Sequence, residues 1–218
     1  HGGAWSMGDR YYTDSHAKKL RDRGFVVANI EYRYVSESLS CEDLEQDVTD
    51  AVTKVKTLAS EYGYSGNGYH IVGISAGAHL SLMHAYKNAS QVKSVTSICG
   101  PVRFDSDEIV NFFRGRDLLP VIEKLAGSRF NALPDEKFTK ISPYSIIKKV
   151  PTLLIHGTAD PLVLYKPNAV FMEQCLKKAK VPAKLISIDG GDHSAGMSDP
   201  VTEAANLDAI AAWIRKFD

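Results

Sequence analysis

The chain has no excess of charge, few cysteines and no long apolar run, and each absence narrows what it can be. Lysine plus arginine and aspartate plus glutamate each number 26, and neither sign is gathered into a block. A polyanionic partner such as nucleic acid, or an anionic membrane surface, therefore has no electrostatic footprint to meet. The Lys177–Lys180 cluster reads instead as the cationic end of a helix, where positive charge suits the macrodipole. The 3 cysteines, Cys41, Cys99 and Cys175, are odd in number and scattered. They offer neither a disulfide framework nor a CxxC metal or redox motif, and Cys99, inside an apolar run, reads as a small core residue. No stretch approaches the roughly 18 apolar residues of a membrane span. Internal repeats, low-complexity tracts and linkers are likewise missing, so 218 residues are read as a single domain, 1–218. The compartment stays open, leaning to the cytoplasm.

What is present is alternation. Phe25 to Ile30 reads as a buried strand, followed by a helix opened by Ser40 with Asp43 positioned for a capping box. Leu44, Val48, Ala51, Val55 and Leu58 then recur at helical spacing. Further strands are expected at 70–74, 95–99, 152–156 and 184–188, with helices around 76–88, 166–180 and 201–216. Strand and helix in turn imply an α/β domain: a mostly parallel sheet with helices on both faces. From 101 to 144 the rhythm breaks. No good strand appears there, while Phe104, Phe112, Phe113 and Phe130 sit among charges. A connection this long reads as a short helical cap over one end of the sheet, with Phe112 and Phe113 as candidate substrate-binding residues.

The chemistry concentrates in three loops. Gly73-Ile74-Ser75-Ala76-Gly77 follows a strand-like run and precedes a helix, the context a nucleophile elbow requires. A serine hydroxyl is a weak nucleophile and needs a base, which an acid must orient. Asp160 follows the strand 152–156 and His193 follows the strand 184–188, each on the carboxyl side where such sheets collect ligands. The order is Ser75, Asp160, His193. Rival residues read as structural: His156 packs or hydrogen-bonds beneath the site, Asp189 and Asp192 shape their turn, and His79 faces the sheet. His16, His70 and His84 show no metal-ligand spacing.

Attack on a carbonyl makes an oxyanion, which needs preorganised N–H donors. The opening His1-Gly2-Gly3-Ala4-Trp5 can bring backbone amides close to a substrate. The oxyanion hole is assigned to the amides of Gly3, Ala4 and Ala76, with Gly2 shaping the turn. His1 is expected to brace the loop, and Trp5 to wall the substrate pocket.

With these pieces in hand, the chain resembles the hormone-sensitive-lipase-like esterases of the α/β-hydrolase fold, most of all the bacterial acetyl and feruloyl esterases. The resemblance runs through HGGAWSMGD, GFVVANIEYR, HIVGISAGAHLSL, SPYSIIKKVPTLLIHGTADPLV and GGDHSAGM. It implies a cofactor-free serine carboxylesterase with a capped site, and nucleophile, acid and base at Ser75, Asp160 and His193. Short acyl groups such as acetyl are favoured by resemblance alone, with a small-molecule ester as partner and the oligomeric state open. Ala4 stands where many relatives carry a third glycine; the amide, not the side chain, is what the hole needs. In such proteins a strand leads into the HGG loop from near the middle of the sheet. None precedes His1 here, so the native chain is expected to extend upstream by at least one strand, roughly 5–6 residues. Two other readings stand beside esterase: amide cleavage, by an aryl formamidase or small peptidase, and a non-catalytic binding protein on a hydrolase scaffold.

Overall fold

The computed structural model describes residues 1–133 and 135–218; Pro134, within the insertion, lies outside the described residues. The helices and strands, in chain order, are α1 (Asp14–Arg21), α2 (Cys41–Thr57), α3 (Ala59–Tyr62), β1 (Tyr69–Ile74), α4 (Ala76–Lys87) and β2 (Val92–Ile98). They continue as α5 (Asp107–Arg114), α6 (Leu119–Ala126), α7 (Glu136–Lys140), β3 (Thr152–Gly157), α8 (Phe171–Lys178), β4 (Ala183–Ile188) and α9 (Pro200–Phe217).

The four strands form one sheet in the order β1-β2-β3-β4, parallel throughout. All four expected strands of this sheet are present, with ends shifted by up to three residues. Parallel strands buried on both faces must be apolar on both, and β3 shows it. Leu153 and Ile155 pack with Leu207, Ile210 and Ile214 of α9, whereas Leu154 turns to Leu82 and Tyr86 of α4 and Met172 and Leu176 of α8. A third cluster joins α2 and α4 to the insertion through Leu44, Val48, Leu80, Phe104, Ile122, Leu125 and Phe138. The insertion is helical, as expected, and carries α5 to α7. Helix α2 begins with the expected capping box, Ser40 and Asp43 bonding each other's backbone N–H.

One expected strand fails. Residues 25–30 join no ladder, and Val26 and Val27 are exposed. A β-branched run becomes a strand only when a neighbour supplies hydrogen bonds and packing. Here a cavity of about 490 Å³ lies between this segment and β1, with Val48, Val52 and Val55 on one side and Ile210 and Ile214 on the other. Ser75, Asp160 and His193 do not line it. Among the described residues, no helix is long and apolar enough to cross a membrane.

Candidate active site

Because the strands run parallel, the loops after β1, β3 and β4 meet at one edge of the sheet. Ser75 follows β1 directly and caps α4. Its backbone is left-handed (φ 54°, ψ −120°), a strained conformation for a side-chain-bearing residue. The Ser75 N–H donates to the Ile98 carbonyl at the end of β2 (2.8 Å), pinning the turn to the sheet. Asp160 lies in the loop after β3 and His193 in the loop after β4; the Ala159 N–H donates to the Gly191 carbonyl (2.9 Å) and holds the two loops together.

The three side chains form one hydrogen-bonded line. Ser75 Oγ is 2.9 Å from His193 Nε2, and His193 Nδ1 is 2.8 Å from Asp160 Oδ2. Asp160 is buried, and burial by itself pushes its pKa up. Hydrogen bonds from His156 and His193, the Val163 N–H and the nearby charge of His193 outweigh that and hold the carboxyl well below the usual carboxylate range. Its Oδ1 accepts from the Leu162 and Val163 N–H groups at 2.8 and 2.9 Å. His156 lies beneath, as expected. Its Nε2–H donates to the Val163 carbonyl (2.8 Å), with Asp160 Oδ2 3.1 Å away. Asp192 accepts from the Ser194 N–H and hydroxyl, and Asp189 from Thr158, so both serve their own loops.

The opening loop reaches the same edge. Gly3 (φ +121°) is a position only glycine can hold, since a Cβ would fall 1.9 Å from the Met7 carbonyl oxygen. Ala4 and Trp5 follow in left-handed conformation (φ 48° and 56°). Gly2 lies against the elbow, where an added Cβ would come 3.2 Å from Ser75 Cβ. Among the described residues neither the Gly3 nor the Ala4 amide finds a protein acceptor. Ala76 is the first residue of α4, where N–H groups have no intrahelical partner. His1 braces the loop: its ring stacks on Tyr32 (4.1 Å, 7°), Nε2 lies 2.6 Å from Glu31, and its carbonyl accepts from the Tyr32 hydroxyl (2.6 Å). Tyr32 and Glu31, distant in sequence, carried no local signal for this role.

Two expected pocket residues sit elsewhere. Trp5 is buried in the core cluster, edge-on to His79 and Phe104, instead of walling an open pocket. Phe113 is likewise buried, stacked on Phe104. An indole or phenyl ring in this cluster removes more apolar surface from water than one at the mouth. Phe112 stays half-buried under the Arg116 guanidinium (4.3 Å), and Arg116 Nε donates to the Pro161 carbonyl beside Asp160 (3.1 Å).

Cys99 Sγ, an Asp160 oxygen and a His193 nitrogen lie within 4.8 Å of one another, a spacing that would suit a metal ion. Asp160 and His193 are already committed to each other and to Ser75, and burial pushes the Cys99 thiol far above its ordinary pKa, toward a form that does not ligate. His16, His70 and His84 are separately engaged with Glu203, Ser94 and Tyr69.

A BD-FAE family model matches residues 1–175. The chain belongs to the BD-FAE family. It is 26% identical over 212 residues to a probable isoprenylcysteine alpha-carbonyl methylesterase of Oryza sativa subsp. japonica, covering 88% of this chain and 50% of that protein. It is also 26% identical over 207 residues to the probable carboxylic ester hydrolase LipM of Mycobacterium tuberculosis, covering 88% and 47%. The chain thus spans about half the length of these curated relatives. Among solved structures, a truncated carbohydrate esterase from gut microbiota superposes with a TM-score of 0.81 at 22% identity, covering 98% of this chain and 84% of that one. A thermophilic esterase of Thermogutta terrifontis gives 0.77 at 20%, covering 99% and 79%. The fold is that of the α/β-hydrolases.

Proposed function

We propose that this BD-FAE chain is the catalytic part of a serine carboxylic ester hydrolase acting on short-acyl esters. The observation that carries the reading is the line from Ser75 Oγ through His193 to Asp160, set beside amides with no protein acceptor. In the first half-reaction Ser75 Oγ attacks the ester carbonyl carbon while His193 Nε2 takes the hydroxyl proton. The carbonyl π electrons move to oxygen, and the oxyanion is received by the Gly3, Ala4 and Ala76 amides. Collapse expels the alcohol oxygen, which takes the proton from His193 Nε2 and leaves an acyl group on Ser75. Water then repeats the sequence, with His193 as base, and releases the acid. Throughout, Asp160 remains ionised and keeps the Nδ1 proton on the far side of the ring.

The esterase relatives support ester cleavage, and acetyl-sized groups are our choice within it. The amide reading keeps one specific support: 26% identity over 169 residues to an uncharacterized peptidase, YtmA of Bacillus subtilis, covering 76% of this chain and 63% of that protein. The test is hydrolysis of p-nitrophenyl acetate, butyrate and octanoate, acetylated xylan oligomers, feruloyl esters and N-formylkynurenine, with fluorophosphonate labelling alongside. Ser75→Ala is expected to abolish labelling and to leave a residual rate on the order of 10³-fold over water. A fully active alanine variant, or a label on another residue, overturns the proposal.

A further inference from the structure

His79 stands one helical turn beyond Ser75, and its N–H donates to the Ser75 carbonyl (3.1 Å). Its ring is fully buried and bonded at both nitrogens to distant parts of the chain. Trp5 Nε1–H donates to Nδ1 (3.1 Å). An indole N–H can only donate, so Nδ1 is the acceptor. On the opposite side Nε2–H donates to the Ile141 carbonyl (2.7 Å), near the end of the insertion. The two partners therefore fix one neutral tautomer, and Phe104 closes over the ring edge-on (5.2 Å, 80°). Burial pushes the pKa of His79 down to about 4, which keeps that neutral form in place.

Trp5 belongs to the loop that carries Gly3 and Ala4. Left-handed conformation at Ala4 and Trp5 persists only where the surroundings hold it. On the Trp5 side that hold is a carbonyl bond from Val35 N–H (2.9 Å) and the indole bond to His79.

We infer that His79 is a positioning residue, which fixes the Gly3–Ala4 loop relative to Ser75 through Trp5 and ties the end of the insertion to the same point. The inference rests on the hydrolase reading above, in which those amides receive the oxyanion. A misplaced donor lowers the rate of the chemical step while leaving substrate affinity nearly unchanged.

Two conservative variants separate the two bonds. An asparagine oxygen can stand near Nδ1 and keep the acceptor for Trp5; a glutamine amide reaches toward Nε2 and keeps the donor for Ile141. His79→Gln is expected to lower kcat on p-nitrophenyl acetate about 10- to 100-fold with KM nearly unchanged, and to slow fluorophosphonate labelling of Ser75 equally. His79→Asn should stay within a few-fold of the parent in both, with a lower Tm. Trp5→Phe should match His79→Gln, and the double variant should lose no more than either. By NMR, the Trp5 indole N–H and the Gly3 and Ala4 amide signals should shift in His79→Gln and hold in His79→Asn. Equal effects of the two variants, or a fall in Tm with unchanged kcat and amide signals, overturns the inference. A parent protein inert to esters and phosphonate overturns the hydrolase reading instead, and the amide signals still show whether His79 orders the loop.

Discussion

His156 and His193 approach the same oxygen of one carboxylate, Asp160 Oδ2, at 3.1 and 2.8 Å. His193 donates its Nδ1–H to it outright, while the single Nε2–H of His156 is shared with the Val163 carbonyl, and only His193 reaches Ser75. Asp160→Asn would place a donor against the His193 N–H and favour the wrong tautomer. It is expected to cost about 10⁴-fold in kcat. Asp189→Asn and Asp192→Asn, whose carboxylates serve their own loops, should each cost less than about 10-fold. Steady-state kinetics on all three, with circular dichroism to confirm folding, decides the assignment; a crippled Asp192 variant beside a mild Asp160 one would reverse it.

The two neighbouring phenylalanines of α5 should respond oppositely. Phe113 is buried and stacked on Phe104, so Phe113→Ala is expected to cost about 3–5 kcal/mol of stability. Phe112 is half-buried beneath Arg116. Phe112→Ala should cost less than half as much and shift preference among acetyl, butyryl and octanoyl esters. Urea unfolding and the chain-length profile are the two measurements; an unchanged profile removes Phe112 from the substrate pocket.

Acid should weaken the fold through His79 well before it discharges Asp160. The unfolded chain takes up a proton at His79 as pH falls through about 6.5, while the folded ring resists until about 4. Its contribution to stability is therefore complete above pH 6.5 and declines as pH falls toward 4. Between pH 6.5 and 5 the loss from this residue reaches up to about 2 kcal/mol. Asp160 has the depressed carboxylate pattern, whose stability is lost only below the ordinary carboxylate range, outside that window. Urea midpoints at pH 7 and pH 5 should thus move closer together in His79→Asn than in the parent; an equal separation contradicts the prediction.

Much of this was readable from residue order because it is local. The strands β1 to β4 are short runs rich in β-branched and apolar residues; Ser75 directly follows β1, and Asp160 and His193 lie in the loops after β3 and β4. Helix α1 has no clear signature in the sequence, because only Leu20 on it is buried and it carries no apolar stripe. Residues 25–30 present the opposite case. Their β-branched pattern is strong, but strand formation depends on a neighbour, which no local pattern reports. The bonds from Trp5 to His79 and from Tyr32 to His1 span 74 and 31 residues and depend on three-dimensional placement. For the same reason Trp5 and Phe113 read as pocket walls: an aromatic ring in sequence does not declare which side of a loop it faces.

Gly77 and Gly157 act as clearance gauges. A methyl on Gly77 would lie 2.4 Å from the His1 carbonyl oxygen, and one on Gly157 would lie 2.2 Å from the carbonyl oxygens of Gly191 and Asp192. The first gap sets how far the opening loop stands from the elbow; the second sets how far the histidine loop stands from β3. One added carbon at either position would push apart loops that must cooperate, although it touches none of Ser75, Asp160 and His193. Gly77→Ala is accordingly expected to keep the circular dichroism of a folded protein and to lose more than about 100-fold in kcat. Near-parental kcat would show that the opening loop can yield. Variation aimed at new substrates has room along the exposed side chains of the insertion, while the spacing between the loops leaves room for a hydrogen atom and nothing larger.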